Sequence, residues 1–443
     1  MARIGAFCFP GTGHLNPLTA LARRLQQRGH TVVIFGIPDV ESRVRAAGIE
    51  FCQIGQSDYP LGTLPELDRK MSELAGLASF KFTFERIGDM ARMVLREGPE
   101  SLRRTNVDAV LVDEADFSGS VADYLGLPWI SLALPPPMVW DSRIPPFCFG
   151  WPAGRGAGHV RLRRLRNAIA MRVLARGAAP IYAEVNRHRI AWGLEPMKHP
   201  SDALSKLAQI TQLPAALEFD VGDPPPLLHY TGPFVDPGQR PPVDFEWDRL
   251  DGRPLVYASL GTLQNGLDET FRIIAAACAG LPVQLVISLG GGLAPERLGA
   301  LDGDPIVVKY APQLEIVKRS AVVITHAGIN TVLESLTEGV PLVCLPIGND
   351  QPGISARVAA RGAGVVVPRS RLNAKRLRSA VRAVLDDESY RCAARKVQAS
   401  IQQIDGLELA AELIEDALKI GRGTPSLNAA NLGAPSSLLS TRP

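Results

Sequence analysis

Residues Ile306–Gln351, IVVKYAPQLEIVKRSAVVITHAGINTVLESLTEGVPLVCLPIGNDQ, constrain the fold more than any other stretch of the chain. Ala321–Thr325 and Pro341–Ile347 are runs of Val, Ile and Leu with strand character. Ile329–Glu338 between them reads as a helix stopped by Gly339 and Pro341. A strand–helix–strand unit makes its two strands parallel, with their carboxyl ends side by side. Open α/β sheets bind ligands at that edge. His326-Ala327-Gly328 and Gly348-Asn349-Asp350-Gln351 fall there. His326, Asn330 and Glu334 are spaced by four and share one face if the helix begins near His326. A helix N-terminus carries free N–H groups and partial positive charge, which suits a phosphate. A structural reading stands beside it: Thr331-x-x-Glu334 fits a capping box, and Gly328 fits a tight turn. Spacing alone does not choose between them.

The remainder of the chain repeats the β/α alternation. Arg3–Phe9 reads as a buried strand, followed by Pro10-Gly11-Thr12-Gly13-His14-Leu15-Asn16-Pro17, a helix over Leu18–Arg28 and a strand over Thr31–Phe35. A dinucleotide fingerprint would start at Gly11, but Asn16 stands where its third glycine belongs, which weighs against nicotinamide or flavin. The loop instead sets His14 at the mouth of the sheet. A neutral imidazole there either bonds to local backbone or acts as a general base, and a base needs an orienting carboxylate. Asp113, at the carboxyl end of the strand Val107–Val112, is the candidate, with Glu114 and Asp116 as rivals. The proline-rich, aromatic loop Pro135–Pro152 cannot be regular structure. It offers Pro136, Met138, Trp140 and Phe147 either as a wall for an apolar ligand or as a loop packed on its own domain. The insertion Tyr59–Phe84, with Phe80, is a second candidate wall.

Residues 155–176 hold Arg155, Arg161, Arg163, Arg164, Arg166, Arg172 and Arg176 and no acid, with Leu162, Leu165, Ile169 and Val173 on one helical stripe. Such a helix either turns its stripe into the core, the weightier expectation, or makes a weak contact with an anionic membrane surface. Ala208–Thr211 ends the first array, and a proline- and glycine-rich break covers Asp220–Asp251. A second array starts with the strand Pro254–Leu260 and Gly261-Thr262, and ends in helices over Asn373–Leu385, Glu388–Ile404 and Glu408–Ile420. Two α/β, Rossmann-like β/α/β domains facing across a cleft are expected. Residues 421–443 are polar and expected to be disordered.

Composition narrows the partners. A net charge of +3 over 443 residues gives no case for nucleic acid. The six cysteines are scattered without a CxxC pair, which predicts buried reduced thiols rather than zinc. No secretory signal precedes the first strand and no run of about 18 apolar residues occurs, so a cytoplasmic chain without a membrane span is expected. A monomer is the expectation.

With these residues in place, the chain resembles the UDP-dependent glycosyltransferase superfamily, which includes plant secondary-product and bacterial zeaxanthin glucosyltransferases. The carrying motifs are Tyr310-Ala311-Pro312-Gln313, His326-x-Gly328-x-Asn330-Thr331-x-x-Glu334, Gly339-Val340-Pro341, Asp350-Gln351 and, in the first half, Gly13-His14-x-Asn16-Pro17. The resemblance spans nearly everything but the tail and implies a GT-B fold. It implies an acceptor-binding domain over 1–219, a linker over 220–251, a nucleotide-sugar-binding domain over 252–420 and a tail over 421–443. By the same resemblance Tyr310 stacks on uracil, while Ala311 and Gln313 meet base and ribose. Glu334 takes the ribose hydroxyls. His326, Gly328, Asn330, Thr331 and Thr262 hold the diphosphate, and Asp350 and Gln351 hold the sugar. His14 becomes the base, oriented by Asp113, in an inverting transfer without a metal or other cofactor. The co-substrate is UDP-glucose or a related nucleotide sugar, and the acceptor a hydrophobic flavonoid, terpenoid or carotenoid. Tyr310 and Ile329 stand where plant members have tryptophans. This keeps open a dTDP-deoxysugar transferase acting on a macrolide-like acceptor. A non-catalytic GT-B partner protein is the other alternative.

Overall fold

In the computed structural model, residues 1–152, 160–239, 242–263, 266–291 and 293–419 are described. The first half runs β1 (Arg3–Phe7), α1 (Thr12–Gln27), β2 (Thr31–Gly36), α2 (Glu41–Ala46), β3 (Glu50–Gln53), α3 (Thr63–Glu73), α4 (Gly76–Thr105), β4 (Ala109–Asp113), α5 (Ser118–Leu125), β5 (Trp129–Ala133), α6 (Val160–Ala191), β6 (Gln209–Thr211) and β7 (Leu228–Tyr230). The second runs β8 (Leu255–Ser259), α7 (Asp268–Cys278), β9 (Gln284–Ser288), β10 (Ile306–Val308), α8 (Gln313–Arg319), β11 (Ser320–Thr325), α9 (Ile329–Thr337), β12 (Leu342–Cys344), α10 (Gln351–Ala360), β13 (Gly364–Val366), α11 (Ala374–Asp386), α12 (Glu388–Ile401) and α13 (Gly406–Leu418). The tail expected over 421–443 and Arg155 of the basic segment lie outside the described residues.

Two parallel sheets result, in the orders β3-β2-β1-β4-β5-β6-β7 and β10-β9-β8-β11-β12-β13. Every residue of β4, β5 and β8 is buried, as expected of strands covered by helices on both faces. Strand order reverses between β1 and β4 in the first sheet and between β8 and β11 in the second. Crevices open at such switch points. They place the loop after β1 beside Asp113, and Gly261-Thr262 beside His326.

Several expectations are corrected. The first helix begins at Thr12 rather than Leu18, so His14 lies in its first turn and Pro17 lies inside it. Proline has no N–H to give the carbonyl four residues back, so the Gly13 oxygen is left without that helical bond. The insertion after β3 folds as α3 and the 30-residue α4, which packs on α5 and α6. Within the expected linker, β7 pairs with β6 and completes the first sheet. The domain boundary drawn at 420 does not follow the packing. α13 returns to the first half, where Leu407, Ala410, Ala411 and Ile414 join the first core beside α1. Arg24 bonds Glu408 at 2.8 Å and Arg28 bonds Glu415 at 2.8 Å along that seam.

The two halves also meet through a buried ion pair. Arg357 on α10 donates through Nε to Glu218 Oε1 at 2.9 Å and through Nη2 to Oε2 at 3.0 Å. Its guanidinium lies 4.7 Å from the centre of the Phe219 ring, and Phe219 N donates to Glu218. Removing one partner strands the other charge away from water. Arg357→Ala is therefore expected to lower unfolding free energy by about 3–5 kcal/mol, measured by urea denaturation; a loss under about 1 kcal/mol would sink this account of the joint.

Candidate active site

A cavity of about 370 Å³ lies between the two sheet edges. Its first-half wall begins with His14. The imidazole Nδ1 lies 2.5 Å from Asp113 Oδ2. Asp113 is fully buried, and it also accepts from Phe9 N at 3.2 Å and from Ala115 N at 3.2 Å. A carboxylate can only accept, so Nδ1 carries the proton and Nε2 is the ring nitrogen left for the cavity. Burial pushes the His14 pKa down, but the charge of Asp113, its hydrogen bond and the charge of Asp350 outweigh that and raise it above 6.5. The rival carboxylates are occupied elsewhere. Glu114 accepts from Met138 N at 2.7 Å, and burial lifts it to about 7. Asp116 accepts from Ser118 N at 2.7 Å, and burial lifts it to about 6.

The opposite wall comes from the second sheet. All of Thr262, Tyr310, Ala311, Gln313, His326, Gly328, Asn330, Thr331, Glu334, Asp350 and Gln351 line the cavity. α9 starts at Ile329 with Gly328 as its N-cap and no side-chain cap, so the capping-box reading of Thr331 and Glu334 does not hold. Gly328 and the first-turn residues Ile329, Asn330 and Thr331 line the cavity, and no N-cap side chain takes up the first-turn N–H groups, as an anion site requires. Glu334 accepts from Gln313 Nε2 at 2.6 Å, and Gln313 accepts from Tyr257 at 3.1 Å. Tyr310 is half exposed, which leaves a ring face open to stacking.

His326 sits where a side chain on either neighbouring glycine would collide with it. A Cβ at Gly261 would approach Cε1 to 2.6 Å, and one at Gly328 would approach Nε2 to 2.4 Å. Burial lowers its pKa to about 4, against the Ser259 backbone hydrogen bond that raises it. The imidazole is therefore neutral near pH 7 and can offer an N–H but no charge. Ala327 (φ 67°) and Asn349 (φ 53°) hold left-handed backbone at the ends of β11 and β12. Such strain gathers where a loop must present groups to a ligand.

Asn330 spans the cleft. Its Nδ2 donates to Gly13 O at 3.2 Å, the carbonyl that Pro17 leaves free, and its Oδ1 accepts from Gln212 at 3.2 Å. Gln351 Oε1 accepts from Ile347 N at 2.8 Å and Gly348 N at 3.1 Å, bracing the loop that carries Asp350. Thr83 meets Asn349 at 3.2 Å, and Gly76 N donates to Ile347 O at 2.8 Å. A Cβ at Gly353 would fall 1.8 Å from the Phe147 carbonyl, so glycine is what lets the proline-rich loop lie against α10.

The apolar lobe is only partly the one expected. Phe80, Met138 and Phe147 line it. Pro136 is buried and Trp140 stands edge-on to His199 at 5.6 Å, and neither lines the cavity. Phe9, Met71, Phe84 and Ile87 take their place. The spacing of Phe80, Phe84 and Ile87 is helical, a signal available in the sequence. Arg86, also lining and only 4% exposed, lies 4.8 Å from the centre of the Phe9 ring, with Asp68 at 3.5 Å. Among the described residues no group of three or more His, Cys, Asp and Glu is placed to hold a metal ion, and no helix is long and apolar enough to cross a membrane.

Comparison with known proteins agrees with this geometry. The family model "UDP-glucoronosyl and UDP-glucosyl transferase" matches residues 224–415, and "Glycosyltransferase family 28 N-terminal domain" matches residues 9–97. The zeaxanthin glucosyltransferase of Pseudescherichia vulneris is 30% identical over 426 residues, covering 92% of this chain and 96% of its own. That of Pantoea ananas is 29% identical over 432 residues, covering 95% and 97%. The crystal structure of glycosyltransferase VinC in complex with dTDP superposes with a TM-score of 0.67 at 20% identity, covering 94% of this chain and all of VinC, which supports the two-sheet GT-B fold.

The ring environment of His14 gives a titration test. Its folded pKa is raised, so the bound proton stabilises the fold below pH 6.5 and that contribution is lost as pH rises through the folded value. The imidazole resonances are expected to titrate above 6.5. In Asp113→Asn, where burial is no longer outweighed, they should titrate below that. An unchanged midpoint in the variant would show that Asp113 does not set the His14 proton affinity.

Proposed function

The chain belongs to the family of UDP-glucoronosyl and UDP-glucosyl transferases, and from that premise we propose that it moves glucose from UDP-glucose to a hydroxyl of a hydrophobic small molecule such as a carotenoid, terpenoid or flavonoid. The observation that carries this reading is the position of His14. Its Nδ1 is held by a buried carboxylate, and its ring faces a cavity with an apolar lobe on one side and the uncapped N-terminus of α9 on the other.

The acceptor hydroxyl lies between His14 Nε2 and the anomeric carbon of the donor. Nε2 takes the hydroxyl proton as the oxygen forms its bond to that carbon, and Asp113 stabilises the imidazolium. The bond to the diphosphate breaks with its electron pair leaving on the phosphate oxygen. The first-turn N–H groups of α9, with N–H donation from neutral His326 and the hydroxyls of Thr331 and Thr262, meet the charge that grows there. Attack opposite the leaving group inverts the anomeric centre. Tyr310 supplies the base platform, Ala311 and Gln313 meet base and ribose, Glu334 takes the ribose hydroxyls, and Asp350 and Gln351 face the sugar. Asn330, whose side chain is engaged by Gly13 and Gln212, acts by closing the halves around the diphosphate.

The apolar lobe and the identity to zeaxanthin glucosyltransferases support a polyisoprenoid-like acceptor. A second reading, a dTDP-sugar donor, is favoured by the tyrosine platform and by the dTDP bound in VinC. The intact His14–Asp113 pair weighs against a non-catalytic partner protein.

His14→Ala is expected to abolish transfer, measured by mass spectrometry of the product, while UDP affinity measured by calorimetry changes less than about twofold; transfer at the wild-type rate would sink the mechanism. For the donor, thermal unfolding separates the readings. A nucleotide at about 100 times its Kd raises stability by about 2.7 kcal/mol, so UDP should raise Tm at concentrations where dTDP does not. The reverse order would turn the proposal to the dTDP reading.

A further inference from the structure

α6 is built inside-out over its first half. Its residues turned into the protein include Asn167, Ala170 and Met171, and Asn167 donates to Ser142 O at 2.9 Å. Its outward face holds Leu162 (66% exposed), Leu165 (55%), Ile169 (52%) and Val173 (59%). The expectation that this stripe enters the core is therefore overturned. At 100° per residue these four form one line, with Arg161 and Arg172 on one flank, Arg166 on the other and Arg176 continuing the line one turn beyond Val173. No acidic residue occurs from Val160 to Ala183. Phe149 and Trp151, stacked at 4.2 Å, extend the face, and the Arg166 guanidinium lies 4.3 Å from the Trp151 ring centre. Together they line a shallow apolar groove of about 400 Å³.

We propose that this face docks on an anionic lipid bilayer, with α6 lying in the interface, its leucine stripe below the headgroups and its arginines among them. The charge decides between occupants. Arginine and aromatic residues occur in protein interfaces as well, but a one-signed row of arginines along an apolar stripe, with no acid from Val160 to Ala183, matches an anionic surface. The placement also connects to the active site, on the proposed reading of the acceptor. The loop that gives Phe147 to the catalytic cavity gives Phe149 and Trp151 to the outer face. A bilayer-dissolved acceptor would thus enter beside that loop without crossing water.

Flotation of the full-length protein with vesicles tests the docking independently of any activity. Binding is expected to vesicles of phosphatidylcholine mixed with phosphatidylglycerol and not to phosphatidylcholine alone, and it should weaken as salt rises. Each arginine contributes about fivefold to partitioning at such a surface, so Arg161→Gln with Arg172→Gln should weaken binding about 25-fold. Leu165→Glu with Ile169→Glu should abolish it while Tm and transfer to a water-soluble acceptor are retained. A wild-type protein that stays unbound to the anionic vesicles overturns the proposal. So does binding that survives the Leu165 and Ile169 changes. A concentration-dependent dimer in sedimentation velocity, lost in the same variant and formed in place of vesicle binding, would overturn it in favour of a protein interface.

Discussion

The buried pair between Glu218 and Arg357 governs the spacing of the cleft. A bidentate guanidinium–carboxylate contact fixes direction as well as distance, and both side chains are almost wholly withdrawn from water. Arg357 lies less than two helical turns from Gln351, the first residue of α10. Holding it therefore holds the loop Gly348–Gln351, which faces His14 across the cavity. On the other side of the cavity Asn330 reaches the carbonyl that Pro17 leaves unbonded. A proline inside α1 thus frees the carbonyl that makes a contact between the two halves. Two ties of different chemistry, one ionic and dry, one neutral and at the cavity wall, set the two sheet edges against each other.

Within that frame the same side-chain type is driven in opposite directions. His14 is raised because a buried carboxylate sits 2.5 Å from it. His326 is lowered to about 4 because it is enclosed by glycines with no acid beside it. Environment, not residue type, assigns their roles. The first-half wall of the cavity gains a group that can take a proton near neutral pH. The second-half wall gains a neutral imidazole beside the N-terminus of α9.

What could be read from the sequence was local and periodic. The strand–helix–strand unit, the placement of His14 and Asp113 at a sheet mouth and the grouping of His326, Asn330 and Glu334 with the loop Gly348–Gln351 follow from strand ends and short loops, which obey chain order. What could not be read depends on contacts between distant residues. Glu218 and Arg357 carry no motif. α13 has the amphipathic pattern of any surface helix, and nothing in that pattern says which sheet it covers. The start of α1 is hidden because glycines and Pro17 read as loop, whereas the helix carries Pro17 as its sixth residue at the cost of one backbone bond. The face of α6 was misread because periodicity finds a stripe but not the direction in which it points. Phe80, Phe84 and Ile87 have helical spacing, but nothing in that spacing says that this face of α4 lines the cavity.

The return of α13 to the first half has a bearing on how the protein is made. The second sheet and its helices, β8 to α12, form a contiguous stretch whose core can close as soon as it has been synthesised. The first core cannot, because Leu407, Ala410, Ala411 and Ile414 are among its last residues to leave the ribosome. Domains usually fold in the order they emerge. Here the unit that emerges first must keep an apolar patch on α1 uncovered until the whole second half and then α13 have followed it. For the same reason, exchanging halves between relatives at the linker would part that patch from the helix that fits it, unless α13 travels with the first half.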